Sequence, residues 1–289
     1  AGLILADHLG LYDEAGLDLK LTQWTSGTLV TDATKADRYT LGCAEQNLVL
    51  AACARGAPVK AVATMFQASP LALMSLPDAP VTSAEDIPGL SIGMHVDGLK
   101  VMDLILAKTG IAPDAVTVTT VSHEEKFDAL ASGRFDAVQC YAVDEPIDFA
   151  KQTGIDPVVM PLGPLGHRAY AQVIFAHEAL IAEQPDLVNT FLDVSFAGWR
   201  QALADPEAAA RIIVEHYAEP GSKYADLDYQ RRSLALVADF VTQGVSDDRI
   251  GVLDAKRWRE TAALFVEHGI IPALPDIGTS IATDLWPRA

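Results

Sequence analysis

The segment Phe135-Asp-Ala-Val-Gln-Cys-Tyr-Ala-Val-Asp-Glu-Pro146 decides the fold class. Phe135–Tyr141 is an apolar run of strand length. After Ala142-Val143, Asp144-Glu145-Pro146 opens a helix, with proline where a first helical turn needs no N–H. A strand that runs straight into a helix is half of a βαβ unit, and the same grammar recurs on both sides of it. Strands are expected at Leu17–Leu21, Tyr39–Cys43, Val59–Met65, Leu90–Met94, Val116–Val121 and Pro157–Met160. Helices are expected near 28–36, 45–55, 98–109, 123–132 and 144–152, with Gly56, Gly110 and Gly133 as stops. This alternation predicts an α/β protein with largely parallel sheets.

Beyond residue 178 the pattern changes to helices near 185–203, 205–218, 228–242 and 255–268, and Asp205-Pro206-Glu207 reads as an N-cap followed by proline. A helical tail without strands must pack on an earlier part of the chain. Two polar-poor runs, Pro70–Leu76 and Ala171–Ala176, each precede a turn and a helix start. They are expected to be two hinge strands joining two α/β lobes, with lobe II (81–177) inserted into lobe I (1–80 and 178–289). The other reading of these runs is two ordinary core strands.

Composition narrows the function. Of 289 residues, 39 are acidic and 21 basic, a formal net charge of −18 that opposes binding to nucleic acid or anionic lipid. The three cysteines, Cys43, Cys53 and Cys140, are too few and scattered for a disulfide framework or a zinc site, and are expected to be free and buried. No apolar run reaches the ~20 residues that cross a bilayer. No nucleophile elbow, Walker loop, dinucleotide fingerprint or zinc-protease motif is present, and the histidines lack metal-ligand spacing. No catalytic residue, metal or cofactor is therefore expected.

In parallel sheets, ligands bind outside the carboxyl ends of the strands. The residues expected there are Trp24 and Gly27, Glu45, Gln67 and Ser69, His95 and Asp97, Tyr141 and Glu145, with Tyr170 and its ring as a further wall. Glu145 and Tyr141 are the sharpest pair: a rim carboxylate that accepts from a ligand amine, beside a ring for stacking. As a rim group, Glu145 is expected to support binding and little of the fold. The alternative is that Asp144 and Glu145 only complement the helix dipole.

Gly10-Leu-Tyr-Asp-Glu-Ala-Gly-Leu-Asp18, Ala54-Arg-Gly-Ala-Pro-Val59, Ala131-Ser-Gly-Arg-Phe-Asp-Ala137 and Pro185-Asp-Leu-Val-Asn-Thr-Phe-Leu192 resemble the substrate-binding proteins of ABC importers for nitrate, sulfonates and thiamine precursors, nearest the thiamine-pyrimidine branch. The resemblance runs through essentially the whole chain, including Trp258 and Glu267-His-Gly-Ile270. It implies a type II periplasmic-binding-protein fold, two lobes that close over a small molecule, a permease partner in the membrane, a monomer, and a periplasmic or extracytoplasmic location. Family members carry a strand with a tryptophan and a terminal histidine ahead of the residues matching Ala1-Gly2-Leu3. That strand and any export signal are expected to lie outside this numbering.

One branch of the family is enzymatic and is implied to use pyridoxal phosphate on a lysine, a histidine and a run of cysteines. Those positions fall here on Ala44, Leu48 and His167-Arg-Ala-Tyr-Ala171. An alanine cannot form a Schiff base, so the chain is expected to bind rather than to react. Glu45, Asp97, Asp144 and Glu145 disfavour an anionic solute, because burying unpaired carboxylates against an anion is costly. A thiamine pyrimidine precursor of the hydroxymethylpyrimidine or formylaminopyrimidine type suits them better: its amine donates to a carboxylate and its ring stacks. A flavin meets the same requirements, and a sulfonate or nitrate ligand is the further alternative.

Overall fold

The computed structural model describes residues 1–22, 30, 32, 37–96 and 98–287. The expected helix at 28–36 therefore lies almost wholly outside the described residues, as do Trp24, Gly27 and Asp97. Eight strands are described: β1 Leu41–Ala44, β2 Val59–Phe66, β3 Leu71–Ser75, β4 Ser91–Met94, β5 Thr117–Thr120, β6 Ala137–Tyr141, β7 Val158–Pro161 and β8 Ala171–His177. The helices that matter below are α1 Gly2–His8, α2 Gln46–Ala54, α3 Leu99–Thr109, α4 Lys126–Ala131, α5 Glu145–Thr153, α6 Pro185–Ala204, α7 Pro206–Ile212, α8 Leu227–Thr242 and α9 Ala255–Glu267.

The chain divides into two compact units. The first comprises Ala1–Gln67, Ala169–Glu267 and Ile271–Ala289; the second comprises Ala68–Arg168 with His268–Ile270. The chain changes unit ahead of Pro70 and again ahead of Ala171. Both unit changes fall just ahead of the two expected hinge strands, and each strand also belongs to a sheet: β3 is an interior strand of the second unit's sheet and β8 of the first unit's sheet. Their apolar character reflects burial on both faces, which a crossing strand shares, so composition could not separate the two readings.

In the first unit the sheet order is β1-β8-β2, and β8 is antiparallel to both neighbours. The expectation of largely parallel sheets fails here. β1 and β2 do run the same way around α2, but the returning β8 lies between them. The second unit has the order β5-β4-β6-β3-β7, with β5, β4 and β6 mutually parallel and β3 antiparallel to β6 and β7. Its core gathers Leu73, Ile87, Ile92, Met94, Ala137, Met160 and Leu162 around Val101, Met102, Ile105 and Leu106 of α3. The spacing of these α3 positions is that of one helical stripe. The helix stops at Gly110, which takes the left-handed conformation (φ 74°) that only glycine adopts without cost.

The helical tail belongs to the first unit except for residues 268–270. Pro206 sits at the first position of α7 and Asp205 caps it, accepting from the Ala208 N–H at 2.9 Å. Trp258, Phe196 and Phe265 are fully buried. Leu17–Leu21 is not a strand: the Leu17 N–H closes back on the Tyr12 carbonyl at 2.9 Å, and the residues after it pair with no strand among the described residues. All three cysteines are free, but only Cys140 is buried as a residue; Cys53 is half-buried, and Cys43, at the sheet edge in β1, is exposed as a residue, correcting that expectation, although burial around its thiol, with Glu45 nearby, pushes the thiol pKa well up. No helix among the described residues is long and apolar enough to cross a membrane.

Candidate functional site

β4, β5 and β6 point the same way, so the segments that follow them meet at one sheet edge. His95 follows β4, His123 follows β5, and Tyr141 ends β6 just before Glu145 opens α5. The His95 and His123 rings lie 3.7 Å apart between centroids, tilted by 47°. His95 is buried, whereas the His123 side chain is 70% exposed. The His95 N–H donates to Gln139 Oε1 at 3.0 Å, which ties the loop after β4 to a side chain of β6.

Glu145 is not a free rim group. Its Oε1 is ion-paired with Lys126 Nζ and lies 3.8 Å from His123 Nδ1, while its Oε2 accepts the Tyr141 N–H at 2.7 Å. Lys126 is 1% exposed and also donates to the Gln139 carbonyl at 3.3 Å. The lysine at the start of α4 is thus folded inward, and the carboxylate at the start of α5 neutralises it. Glu145 also sits in the first turn of α5, where the helix dipole favours a negative charge. The dipole reading therefore holds and is incomplete. The result is a carboxylate fixed in position by two donors, 17% exposed, with lone pairs left for a further donor.

Gly98 keeps this arrangement open. A Cβ at position 98 would lie 1.9 Å from Gln139 Oε1. Gly98→Ala is expected to push the Gln139 amide away, break its bond to His95 and cost about 1 kcal/mol. Thermal melts should show that loss, and the His95 ring resonances should shift; an unmoved His95 would mean that Gln139 does not hold the loop.

The first unit places Glu45, Gln46, Tyr170 and Gln172 together. Gln46 Oε1 accepts the Tyr170 N–H at 2.8 Å, and Gln172 Nε2 donates to Glu45 Oε1 at 3.4 Å. Tyr170 is 1% exposed: the Arg257 guanidinium lies 3.9 Å from its ring centroid, Trp258 stacks at 6.5 Å, and its hydroxyl accepts the Asp254 N–H at 3.0 Å. Its expected role as a stacking wall is corrected, since arginine and tryptophan already cover it. Gln67 and Ser69 are also committed to the fold. Gln67 is buried and donates to the Val252 carbonyl at 3.1 Å, while the buried Ser69 hydroxyl accepts the Leu71 N–H at 3.3 Å.

Sequence reasoning missed Lys126, His123, Gln139, Arg257 and Gln172. Lys126 stands in Glu124-Glu125-Lys126, which reads as a solvated charged turn, and nothing local marks it as buried. No cluster of metal-ligating side chains occurs among the described residues. At the positions where the resemblance puts the synthases' cofactor chemistry, Ala44 ends β1 with a methyl group, Leu48 is half exposed on α2, and His167 is buried. These residues do not fit pyridoxal phosphate.

Three known proteins are similar to this chain. The riboflavin-binding protein RibY of Chloroflexus aurantiacus is 26% identical over 243 residues, 83% of this chain and 68% of that protein. The 4-amino-5-hydroxymethyl-2-methylpyrimidine phosphate synthase of Legionella pneumophila is 22% identical over 216 residues, 74% of this chain and 68% of that protein. The periplasmic aliphatic sulphonate binding protein SsuA of Escherichia coli superposes with a TM-score of 0.73 at 15% identity, covering 97% of this chain and 88% of that one. The fold is that of the periplasmic binding proteins of ABC importers. Residues 1–209 match the family described as NMT1/THI5 like, and the chain belongs to that family.

Proposed function

We propose that this chain is the solute-binding component of an ABC importer and that it captures a thiamine pyrimidine precursor, of the hydroxymethylpyrimidine or formylaminopyrimidine type. One observation carries the reading: the Glu145 carboxylate is held ready by Lys126 and the Tyr141 N–H at the carboxyl ends of three parallel strands. An exocyclic amine can donate to that carboxylate, and the neighbouring Tyr141 and His123 rings offer faces for a heteroaromatic ring, at roughly 1–3 kcal/mol per stacked face. A sulfonate would meet a carboxylate whose lysine partner is already neutralised, which leaves no surplus positive charge to hold an anion.

The protein is a binder, not a synthase, because Ala44 offers no amine. It acts as a monomer outside the cytoplasm and delivers its ligand to a membrane permease. A flavin is the second reading, favoured by the likeness to RibY. Mass spectrometry of small molecules released by denaturing the purified protein tests the proposal. A heteroaromatic amine is the expected product; an organic sulfonate would overturn it, and riboflavin would select the second reading.

A further inference from the structure

Residues 277–285 close a pocket against the first unit. Ile281 forms a parallel bridge to Ala61 of β2, and the Ala282 N–H donates to the Ala61 carbonyl at 2.9 Å. Trp258 Nε1 donates to Ser280 Oγ at 3.1 Å, which ties the same segment to α9. Between β2, α9 and this segment lies a pocket of about 490 Å³, a volume that holds small ligands, and all of its lining residues belong to the first unit. Ile181, Ile277, Ile281 and Leu285 give it apolar walls, and Ala255 and Arg259, four residues apart, turn one face of α9 toward it. Its charges are unmatched. Elsewhere Arg211 and Arg231 pair with Glu207, Arg38 with Glu183 and Lys256 with Glu260. In a chain with 39 acidic and 21 basic residues, a cation readily finds a carboxylate. Lys60 Nζ in this pocket donates to the Gly278 carbonyl at 3.3 Å, and among the described residues neither Lys60 nor Arg259 is ion-paired. Asp284 lines the pocket too, so two cations stand against one carboxylate.

We propose that this pocket binds a small monocarboxylate with an apolar body, an aliphatic acid of medium chain length, with Arg259 and Lys60 holding the carboxylate. The guanidinium fork matches the two oxygens of a carboxylate, and the Lys60 ammonium keeps donors beyond the one that Gly278 uses. The isoleucine and leucine side chains take the apolar body. A monoanion cancels the surplus positive charge, whereas a polyanion would set unpaired negative charge beside Asp284 and a neutral hydrocarbon would leave both cations unanswered. The site is independent of the one at Glu145: it lies wholly in the first unit, at the start of β2, and Glu145 belongs to the second unit.

The test titrates octanoate calorimetrically into the full chain. Octanoate should bind saturably at one site with a Kd of roughly 1 mM or tighter. Octanamide, which keeps the apolar body without the charge, should bind at least about tenfold more weakly, a comparison that needs no variant. Arg259→Gln should weaken octanoate at least about tenfold at an unchanged melting temperature, because the side chain it replaces holds no partner among the described residues. Arg259→Lys, which keeps the charge and loses the fork, should fall between the two. Adding 4-amino-5-hydroxymethyl-2-methylpyrimidine should leave the octanoate affinity unchanged. No saturable octanoate binding, or wild-type affinity in Arg259→Gln, would make Arg259 an ordinary solvated cation and overturn the inference. Equal affinity for octanamide would reduce the pocket to an apolar groove and overturn it as well. Competition between octanoate and the pyrimidine would overturn this inference alone and leave the proposed function standing.

Discussion

Glu145→Ala is expected to destabilise the protein by about 3–5 kcal/mol, because it leaves the Lys126 ammonium buried without its counter-charge. The Tyr141 N–H loses its acceptor in the same step. A carboxylate at an open rim would have left the melting temperature almost unmoved, which is what the sequence alone suggested. The burial of Lys126 changes that expectation. Removing both charges should recover most of the loss: Lys126→Met with Glu145→Gln replaces the pair by neutral groups of similar size, so the two substitutions should be strongly non-additive. Urea midpoints of the two single variants and the double variant measure this. A Glu145→Ala protein within about 0.5 kcal/mol of wild type would show that Lys126 finds water or another partner.

Acid should weaken the fold through His167. Burial pushes its pKa down to about 4 from the ordinary 6.5. The unfolded chain takes up a proton near pH 6.5, and the folded chain resists until about pH 4, so the unfolded state binds more protons throughout that window. Stability from this group is fully present above pH 6.5 and is lost as the pH falls toward 4. The full difference is roughly 3 kcal/mol, of which about 2 kcal/mol is gone by pH 5. Other carboxylates contribute as the pH falls further, so the comparison is between wild type and His167→Asn by urea denaturation at pH 7.5 and pH 5. The wild type should lose about 2 kcal/mol more than the variant over that interval. Parallel losses would mean that His167 reaches water in the folded state.

Local sequence carried much of the fold. Strand β6 running into α5 at Asp144-Glu145-Pro146, the Asp205-Pro206 helix start and the Gly110 stop all follow from short-range rules, and each is found where those rules put it. What was not legible depends on residues far apart in the chain. β8 lies between β1 and β2 only because the chain returns from the second unit, so local alternation mistook an antiparallel sheet for a parallel one. The close packing of α1 on α6 is equally remote: a Cβ on Gly198 would lie 2.1 Å from the Gly2 carbonyl oxygen, a contact across almost two hundred residues.

The site divides the same way. Carboxylates after strands could be read from the pattern, and Glu45 and Glu145 do stand at strand ends. Their partners could not. Lys126 and Glu145 are 19 residues apart, and Gln172 and Glu45 are 127 apart. Tyr170 looked available because an aromatic residue in a loop carries no sign that an arginine at position 257 will cover it. Residue type located the chemistry, and tertiary packing decided which groups remain for a ligand.

The central claim is that the chain binds an amino-heteroaromatic solute without transforming it. Calorimetric titration of the wild-type protein with 4-amino-5-hydroxymethyl-2-methylpyrimidine, beside riboflavin and an alkanesulfonate, tests it most directly. Saturable binding of the pyrimidine is expected, with a Kd of about 1 μM or tighter, near −8 kcal/mol, and no chemical change in the recovered ligand. Saturable binding of the alkanesulfonate, with no heat from either heteroaromatic compound, would contradict it.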